Sequence, residues 1–211
     1  QEIEFAAYVR DVGADVLMVL PPDWAASCTL ETFVEHYAAI AHHIPVMVVT
    51  NVFARRQALG LKVLETLRDE VEGIVAIKDD VGGDFVRKMC LLVHDRWAVF
   101  AGGQKQNHLD IVPYGCDGYL STFIQFKPSV AQDYWTATLT GDWSRARDII
   151  STYDMPYFDF VIGLPGGFDA GIHGVLELFG IAQRWRRKPY HTLNDEEMER
   201  LADFFTQKSL L

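Results

Sequence analysis

Gly73-Ile74-Val75-Ala76-Ile77-Lys78-Asp79-Asp80 is a short apolar run that ends in a lysine and two acids. Its small and β-branched residues, with glutamates before them and glycines after them, are typical of a strand buried on both faces of a parallel sheet. Lys78 would then lie at the carboxyl end of the strand, where α/β folds carry their chemistry. We therefore take this strand as the starting point for the rest of the chain.

Lys78 has two interpretations. An ammonium group at the edge of an apolar core loses hydration, which favours the neutral amine that attacks a carbonyl. This profile fits a lysine that forms a Schiff base. A lysine that simply marks where the strand meets water fits the residues equally well.

Strand and helix patterns alternate on both sides of the Lys78 strand. Apolar runs predict strands that begin near residues 14, 45, 74, 97 and 118, and amphipathic segments between them predict helices. This alternation predicts five βα units and a parallel sheet. The predicted strands are Ala14–Leu20, Pro45–Asn51, Gly73–Asp80, Trp97–Ala101 and Gly118–Thr122. The predicted helices are Glu2–Val12, a helix capped by Thr29, Ala58–Leu67, Asp84–His94, His108–Tyr114 and a helix that starts at Pro128.

From Asp142 onward the sequence has helix patterns and no strand pattern. Asp154-Met155-Pro156 is predicted to be a turn, and Asn194 and Glu197 have the spacing of a capping pair. The residues therefore predict a βα array over residues 1–141 and a helical extension over residues 142–211. The predicted helices of the extension are Trp143–Tyr153, Ile172–Trp185 and Asp195–Gln207.

Composition limits the class of protein. The chain has 211 residues, 49% of them hydrophobic and 23% charged, as expected for one compact domain with a sizeable core. A formal net charge of −10 and a pI near 5.1 argue against binding to nucleic acid or to an anionic membrane. Cys28, Cys90 and Cys116 have no CxxC spacing, which argues for a reducing compartment and against a disulfide framework or a zinc site. With no membrane-length apolar run and no signal peptide, we expect a soluble, cytoplasmic protein.

A set of motifs stands in fixed order along the chain: Gly13-Ala14-Asp15, Pro21-Pro22, Pro45, Thr50-Asn51-Val52, Ile77-Lys78-Asp79, Ala101-Gly102-Gly103 and the run from Gly115 to Ser121. Their order and spacing resemble the dihydrodipicolinate synthase and N-acetylneuraminate lyase family, whose members are class I aldolases on a (β/α)8 barrel with extra C-terminal helices. The resemblance covers essentially the whole chain. It implies an α/β fold, a (β/α)8 TIM barrel, in which residues 1–141 supply strands 4 to 8 and the three N-terminal βα units are absent.

The resemblance also implies roles for two residues at the strand ends. Lys78 falls on the lysine that forms the Schiff base with pyruvate or another 2-oxo acid. Thr50 falls where the family has the tyrosine of a Tyr-Asn pair, which relays protons and contacts the substrate carboxylate. A threonine can orient a water or a carboxylate but cannot supply that acid–base chemistry, and it is otherwise a plain β-branched strand residue. Pro22-Asp23-Trp24 replaces a loop with one or two tyrosines, so a second relay residue is missing.

The substrate-binding residues that the resemblance implies are Asn51, Gly102, Gly118, Leu120 and Ser121. The segment from Gly118 to Ser121 aligns with the one whose backbone approaches the bound oxo acid. Gly102-Gly103-Gln104 replaces a Gly-Asp-Asp turn, and a tight strand–helix turn is the simpler explanation for these glycines. Asp79 and Asp80 mark a solvated strand end or, as the second interpretation, act as a general base.

The resemblance implies a lyase that activates a 2-oxo acid as the imine of Lys78 and then makes or breaks a C–C bond or eliminates water. Because the imine supplies the electron sink, no metal and no organic cofactor is expected. The expected partners are the 2-oxo acid, an aldehyde and further copies of the chain in a dimer or tetramer. Without the tyrosine, a sugar-acid dehydratase or aldolase fits at least as well as the lysine-pathway enzyme. The alternative is a degenerate barrel that binds an oxo acid without turnover, as a regulator or scaffold.

Five parallel strands alone cannot close a barrel of this type. The Ala14 strand and the Gly118 strand would both be left as exposed edges. We therefore expect that these 211 residues are part of a longer natural chain. We also expect the sheet to be an arc of five strands in sequence order, with a gap between its ends.

Overall fold

One parallel sheet organises the first part of the chain. The computed structural model describes residues 1–20 and 23–211, and its strands are β1 (Leu17–Val19), β2 (Val46–Val49), β3 (Ile74–Asp79), β4 (Ala98–Ala101) and β5 (Gly118–Tyr119). They pair in the order β1-β2-β3-β4-β5, and each ladder is parallel. The predicted order is confirmed. Among the described residues no ladder joins β1 to β5, so these two strands are the edges of the sheet.

Helices flank the strands as the sequence predicts, although the helix predicted over His108–Tyr114 spans Lys105–Ile111. At the start of the second helix, the Thr32 hydroxyl accepts a hydrogen bond from the Thr29 N–H at 2.9 Å, and the Thr29 hydroxyl accepts from the Thr32 N–H. After the first helix Gly13 adopts a φ of 97°, and the Ala14 N–H donates to the carbonyl of Val9 at 2.9 Å. The helices that accompany the strands are α1 (Glu2–Asp11), α2 (Leu30–Ala41), α3 (Gln57–Glu70), α4 (Gly83–Val93) and α5 (Lys105–Ile111).

The core of this first part lies between the sheet and the helices. Val46, Val48, Ile77 and Val99 are fully covered on the helix-facing side of the sheet. Burying an aliphatic side chain of this size contributes about 1.5–3 kcal/mol, so this layer fixes the strands in place. The helix residues buried in the same cluster include Phe33, Tyr37, Ile40, Leu64, Leu67, Val86 and Met89.

A bulge in β3 decides which way its side chains point. The ladder with β2 skips Val75 between Ile74 and Ala76, and Val75 is 38% exposed. Ile74 and Ile77 are both buried in the core cluster, although they are three residues apart. From Ala76 onward the side chains alternate, so Lys78 lies on the face opposite to Ile77.

The described residues divide into two compact units, 1–102 with 110–120 and 103–109 with 121–211. The second unit is helical, with an aromatic centre in which the rings of Phe123 and Tyr157 lie 5.0 Å apart. Asn194 and Glu197 form the predicted reciprocal cap. The division into a barrel part and an extension at residue 142 stays a prediction. The helices of this unit are α6 (Pro128–Leu139), α7 (Trp143–Ile149), α8 (Met155–Ile162), α9 (Gly167–Leu178) and α10 (Asp195–Gln207).

The prediction of a turn at Asp154-Met155-Pro156 is wrong. A π-helical turn, Ile150–Asp154, runs from α7 into α8, which begins at Met155. Pro156 is the second residue of α8 and follows the π-helical turn directly, so the backbone before it is already helical. The chain therefore passes through the proline as a continuous helical segment, with the wider π-helical turn next to it.

Several predicted boundaries also differ from the structure. The helix predicted over Ile172–Trp185 spans Gly167–Leu178, and Gly180 follows it with a φ of 69°. The strands are shorter than predicted, partly because a 3-10 turn, Asn51–Phe53, begins soon after β2. Pro21-Pro22, which the sequence places at the end of the first strand, lies outside the described residues. None of the helices in the described ranges is long and apolar enough to cross a bilayer.

Candidate active site

Lys78 lies among the carboxyl ends of three neighbouring strands. Its partner in β2 is Val49 and its partner in β4 is Phe100. Phe100 in turn pairs with Gly118 of β5. Because strand side chains alternate between faces, Lys78 and Phe100 project from the same face of the sheet, away from the helices.

The Lys78 amine is paired with the carboxylate of Asp80. The distance from Nζ to Oδ2 is 2.6 Å, and the two side chains are 19% and 28% exposed. Residues two apart in a strand share a face, which explains why Asp80 rather than Asp79 meets the amine. The lysine side chain is therefore partly exposed, neither freely solvated nor closed in the core.

Gly102 lies against the Asp80 carboxylate. A Cβ atom at residue 102 would approach Asp80 Oδ1 to 2.5 Å and the carbonyl oxygen of Asp79 to 2.7 Å. Only a glycine fits at residue 102, because any side chain there would clash with these two oxygens of the segment that carries Lys78. The structure thus gives Gly102 a steric reason of its own, and its contact with substrate stays a prediction.

Thr50 connects the two acids that follow the lysine. Its side chain is fully buried, its hydroxyl donates to Asp79 Oδ1 at 3.1 Å, and it accepts from the Asp80 N–H at 2.9 Å. The Thr50 N–H donates to the carbonyl of Lys78 at 3.1 Å. Thr50 is therefore more than a β-branched strand residue, because it directly follows β2 and its hydrogen bonds join the end of β2 to the end of β3. Its one hydroxyl hydrogen is directed at Asp79.

Asp79 is buried rather than solvated, so the first interpretation of this residue is wrong. Its side chain carboxylate accepts the N–H groups of Val81 at 3.1 Å and Gly82 at 2.9 Å as well as the Thr50 hydroxyl. Burial raises the pKa of Asp79 above its ordinary value, although the three donated hydrogen bonds act in the opposite direction. Asp79 therefore ties the end of β3 to the start of α4.

The other predicted substrate-binding residues lie around this edge of the sheet or follow it. Asn51 is exposed and begins the 3-10 turn after Thr50. A Cβ at Gly118 would approach Cε1 of Phe100 to 3.2 Å. The Leu120 N–H donates to the Ala101 carbonyl at 3.0 Å, and its side chain is 36% exposed. Ser121 belongs to the second unit, and its role in a site stays a prediction.

The sequence names Asp80 as a solvated strand end or a general base, but does not place it against the Lys78 amine. The two-residue period of a strand could have done so, because it puts both residues on one face. Phe100, which sequence reasoning missed, could not be found, because its place opposite Lys78 depends on the register between β3 and β4.

A second lysine, Lys105, lies in a closed cluster of the helical unit. Its Nζ is 2.8 Å from Asp154 Oδ1, and neither side chain is exposed. The backbone N–H of Lys105 donates to Asp154 Oδ2 at 2.8 Å, and Nζ lies 4.2 Å from the centre of the Phe123 ring. The sequence places Lys105 among the lysines of loops, helices and tail, and gives no sign of this burial. An amine this deeply enclosed cannot receive a substrate.

Tyr134 and His108 extend the cluster around Lys105. The Tyr134 hydroxyl donates to the carbonyl of Lys105 at 2.9 Å and lies 2.8 Å from Nδ1 of His108. Because that hydroxyl has given away its hydrogen, Nδ1 is the donor in the second contact. Burial lowers the pKa of His108 to about 4, so the ring is neutral near pH 7. The cluster is a structural one. In the part of the chain that the structure describes, no group of three or more metal-ligating side chains occurs.

A family model described as the dihydrodipicolinate synthetase family matches residues 1–208. The chain belongs to this family. The resemblance carried by the motifs is thereby confirmed, and the five-stranded parallel sheet is part of the barrel of these class I aldolase-type lyases.

Two relatives and one solved structure illustrate the family membership. The chain is 27% identical to a probable 5-dehydro-4-deoxyglucarate dehydratase of Rhizobium rhizogenes, over 95% of this chain and 67% of the relative. It is 23% identical to a 4-hydroxy-tetrahydrodipicolinate synthase of Thermoanaerobacter, over 99% of this chain and 70% of the relative. The prophage protein YagE of E. coli K12, solved in complex with pyruvate, has a TM-score of 0.81 at 22% identity, over 99% of this chain and 71% of that one.

Proposed function

We propose that this protein is a Schiff-base-forming lyase that activates pyruvate or another 2-oxo acid as the imine of Lys78. The observation that carries the proposal is the place of the amine at the carboxyl end of β3, on the face away from the helices and partly exposed. Membership of the dihydrodipicolinate synthetase family supports it, and so does a family fold solved with pyruvate.

An imine at Lys78 supplies the electron sink for the reaction. The amine adds to the C2 carbonyl of the oxo acid and water leaves, so that a protonated imine replaces the carbonyl. C3 then gives up a proton or a C–C bond, because the electron pair moves toward the imine nitrogen. The resulting enamine adds to an aldehyde or expels a hydroxyl group from C4. No metal and no organic cofactor takes part in these steps.

A sugar-acid dehydratase or aldolase fits the site at least as well as a synthase of the lysine pathway. Thr50 stands in place of the tyrosine that the resemblance implies, and its hydroxyl hydrogen is directed at Asp79. The probable dehydratase of Rhizobium rhizogenes at 27% identity supports the same choice. The proposal assigns substrate contact to Asn51, Gly118, Leu120 and Ser121 beside Gly102, and it expects a homo-oligomer, a dimer or a tetramer.

The second candidate function is binding of a 2-oxo acid without turnover. The observation that favours it is the same engaged Thr50 hydroxyl, which leaves the tyrosine relay unreplaced by another hydroxyl. Both candidates form the imine, so trapping the imine does not separate them. Release of product in the steady state, measured with a panel of sugar-derived 2-oxo acids, does.

The first test of the proposal is reduction of the protein with borohydride in the presence of pyruvate. We expect a covalent mass increase on the peptide that contains Lys78 and none in Lys78→Ala. Lys88→Ala is the matched control, because Lys88 also lies 2.6 Å from an aspartate but is 61% exposed on a helix. Labelling that persists in Lys78→Ala at the same level would refute the assignment.

A further inference from the structure

Imine formation at Lys78 needs a group that carries a proton. An ammonium must lose a proton before its nitrogen can attack a carbonyl, and the carbinolamine that forms must gain one before water can leave. The Thr50 hydroxyl is poorly suited to this work, because it already donates to Asp79 and accepts from the Asp80 N–H.

Asp80 has the geometry that this role demands. Its Oδ2 lies 2.6 Å from the Lys78 Nζ, which makes the contact a short charge-assisted hydrogen bond. We propose that Asp80 is a catalytic residue that carries the proton between the Lys78 nitrogen and the leaving oxygen of the substrate. This inference rests on the proposed function of Lys78 and deepens it.

The proton balance of the proposed step closes. The Asp80 carboxylate takes one proton from the Lys78 ammonium, and the neutral amine adds to the C2 carbonyl. A second proton moves from the nitrogen to the former carbonyl oxygen, which gives the carbinolamine. The Asp80 carboxylic acid then returns its proton to that hydroxyl, water leaves, and a protonated imine faces a carboxylate once more. The ammonium and the carbonyl have become an iminium and one water, and Asp80 is unchanged.

The neighbouring acid, Asp79, does not compete for this role. Its carboxylate accepts from Thr50, Val81 and Gly82 and is 1% exposed. By strand alternation it also lies on the face opposite to the Lys78 amine. The Asp79 oxygens are occupied by these three hydrogen bonds, whereas the Asp80 side chain is 28% exposed and lies beside the amine.

Thr50 and Gly102 act as positioning residues for Asp80. The Thr50 oxygen holds the Asp80 N–H at 2.9 Å. The absence of a side chain at Gly102 leaves the space that Asp80 Oδ1 occupies, since a Cβ there would lie 2.5 Å from that oxygen. Because the carboxylate is already held beside the amine, less entropy is lost when the proton is transferred.

The experiment measures the rate at which the protein forms the imine with pyruvate. The reaction is stopped with borohydride at successive times, and the mass of the Lys78 peptide is followed in the unmutated protein, Asp80→Asn and Asp80→Glu. Asp84→Asn is the matched control, because Asp84 lies 2.6 Å from Lys88 on the exposed face of α4. A melting curve of each variant checks that it is folded.

We expect Asp80→Asn to slow imine formation by about 100-fold or more, the usual contribution of a positioned acid–base group. Its rate should also rise with pH more steeply than that of the unmutated protein, because hydroxide must then take the proton. Asp80→Glu should recover most of the rate, and Asp84→Asn should keep all of it. An unchanged rate in Asp80→Asn, or an equal loss in Asp84→Asn, would overturn the role of Asp80. No labelling of Lys78 in the unmutated protein would instead overturn the proposed function.

Discussion

Two lysine–aspartate pairs in this protein have similar N–O distances and opposite surroundings. Lys78 and Asp80 lie 2.6 Å apart at a strand end, with side chains 19% and 28% exposed. Lys105 and Asp154 lie 2.8 Å apart among helices, and neither is exposed. Removing a charge from water costs several kcal/mol unless a partner offsets it, so each member of the enclosed pair depends on the other. The two pairs therefore differ in the access of solvent to the lysine and not in the contact between opposite charges.

The largest expected difference between the two pairs is in stability. Asp154→Asn removes the negative charge 2.8 Å from the buried Lys105 ammonium, and we expect the free energy of unfolding to fall by about 3–5 kcal/mol. Asp80→Asn removes a partner from a partly solvated pair and should cost about 0–1 kcal/mol. Urea denaturation of both variants measures the difference. Equal losses would contradict the comparison.

A double variant sharpens the same point. Lys105→Met with Asp154→Asn removes both enclosed charges and keeps a side-chain oxygen that can accept the backbone N–H of residue 105, so it should recover most of the stability that Asp154→Asn alone loses. A double variant as unstable as the single one would show that the loss does not come from the buried charge.

The enclosed cluster also predicts sensitivity to acid. His108 is 2% exposed, and burial lowers its pKa to about 4. The pKa of a histidine in an unfolded chain is about 6.5. Between about pH 6.5 and 4 the unfolded state therefore binds a proton that the folded state does not. The free energy of unfolding should therefore decrease as pH falls through this window, by about 3 kcal/mol. His108→Phe should reduce that decrease when urea midpoints are compared between pH 7.5 and 4, and an equal slope in both proteins would count against it.

Loss of the Thr50 hydroxyl should lower the free energy of unfolding by less than loss of the enclosed charge, but by more than loss of the Asp80 charge. Thr50→Val keeps the shape but leaves Asp79 and the Asp80 N–H without the hydroxyl, which should cost about 1–3 kcal/mol. Thr66→Val is the matched control, because the Thr66 hydroxyl donates to the Lys62 carbonyl at 3.0 Å on the exposed side of α3. Its loss should be close to zero in the same urea titration. A Thr50→Val variant as stable as Thr66→Val would show that this link does not hold the strand end.

Features that depend on a few consecutive residues could be predicted from the sequence. The caps at Thr29 and Asn194 both agree with the structure. Pro156 misled the prediction, because the helical backbone continues from α7 through a π-helical turn and past the proline. A local sequence pattern therefore predicts the conformation of its own residues, but not how the chain before and after it continues.

The parts of the candidate site that sequence could not supply depend on distant residues. Lys105 looks like an ordinary surface lysine until Asp154, 49 positions later, is placed beside it. Likewise, the pairing of Thr50 with Asp79 needs the register between β2 and β3. The motifs identify Lys78 by its resemblance to the family lysine, but they do not say that Asp80 meets its amine. The substrate-binding role of Asn51 and Ser121 stays a prediction.

Val75 gives β3 a place to absorb changes in chain length. The ladder pairs beyond it, from Ala76 to Lys78, hold the direction of the amine against β2 independently of the residues before the bulge. Deleting Val75 would therefore remove the bulge and leave a regular ladder, in which Ile74 still pairs with Val46 and Lys78 keeps its own face. The end of the strand that carries the lysine is thus insulated from a change of one residue in the segment that leads into it.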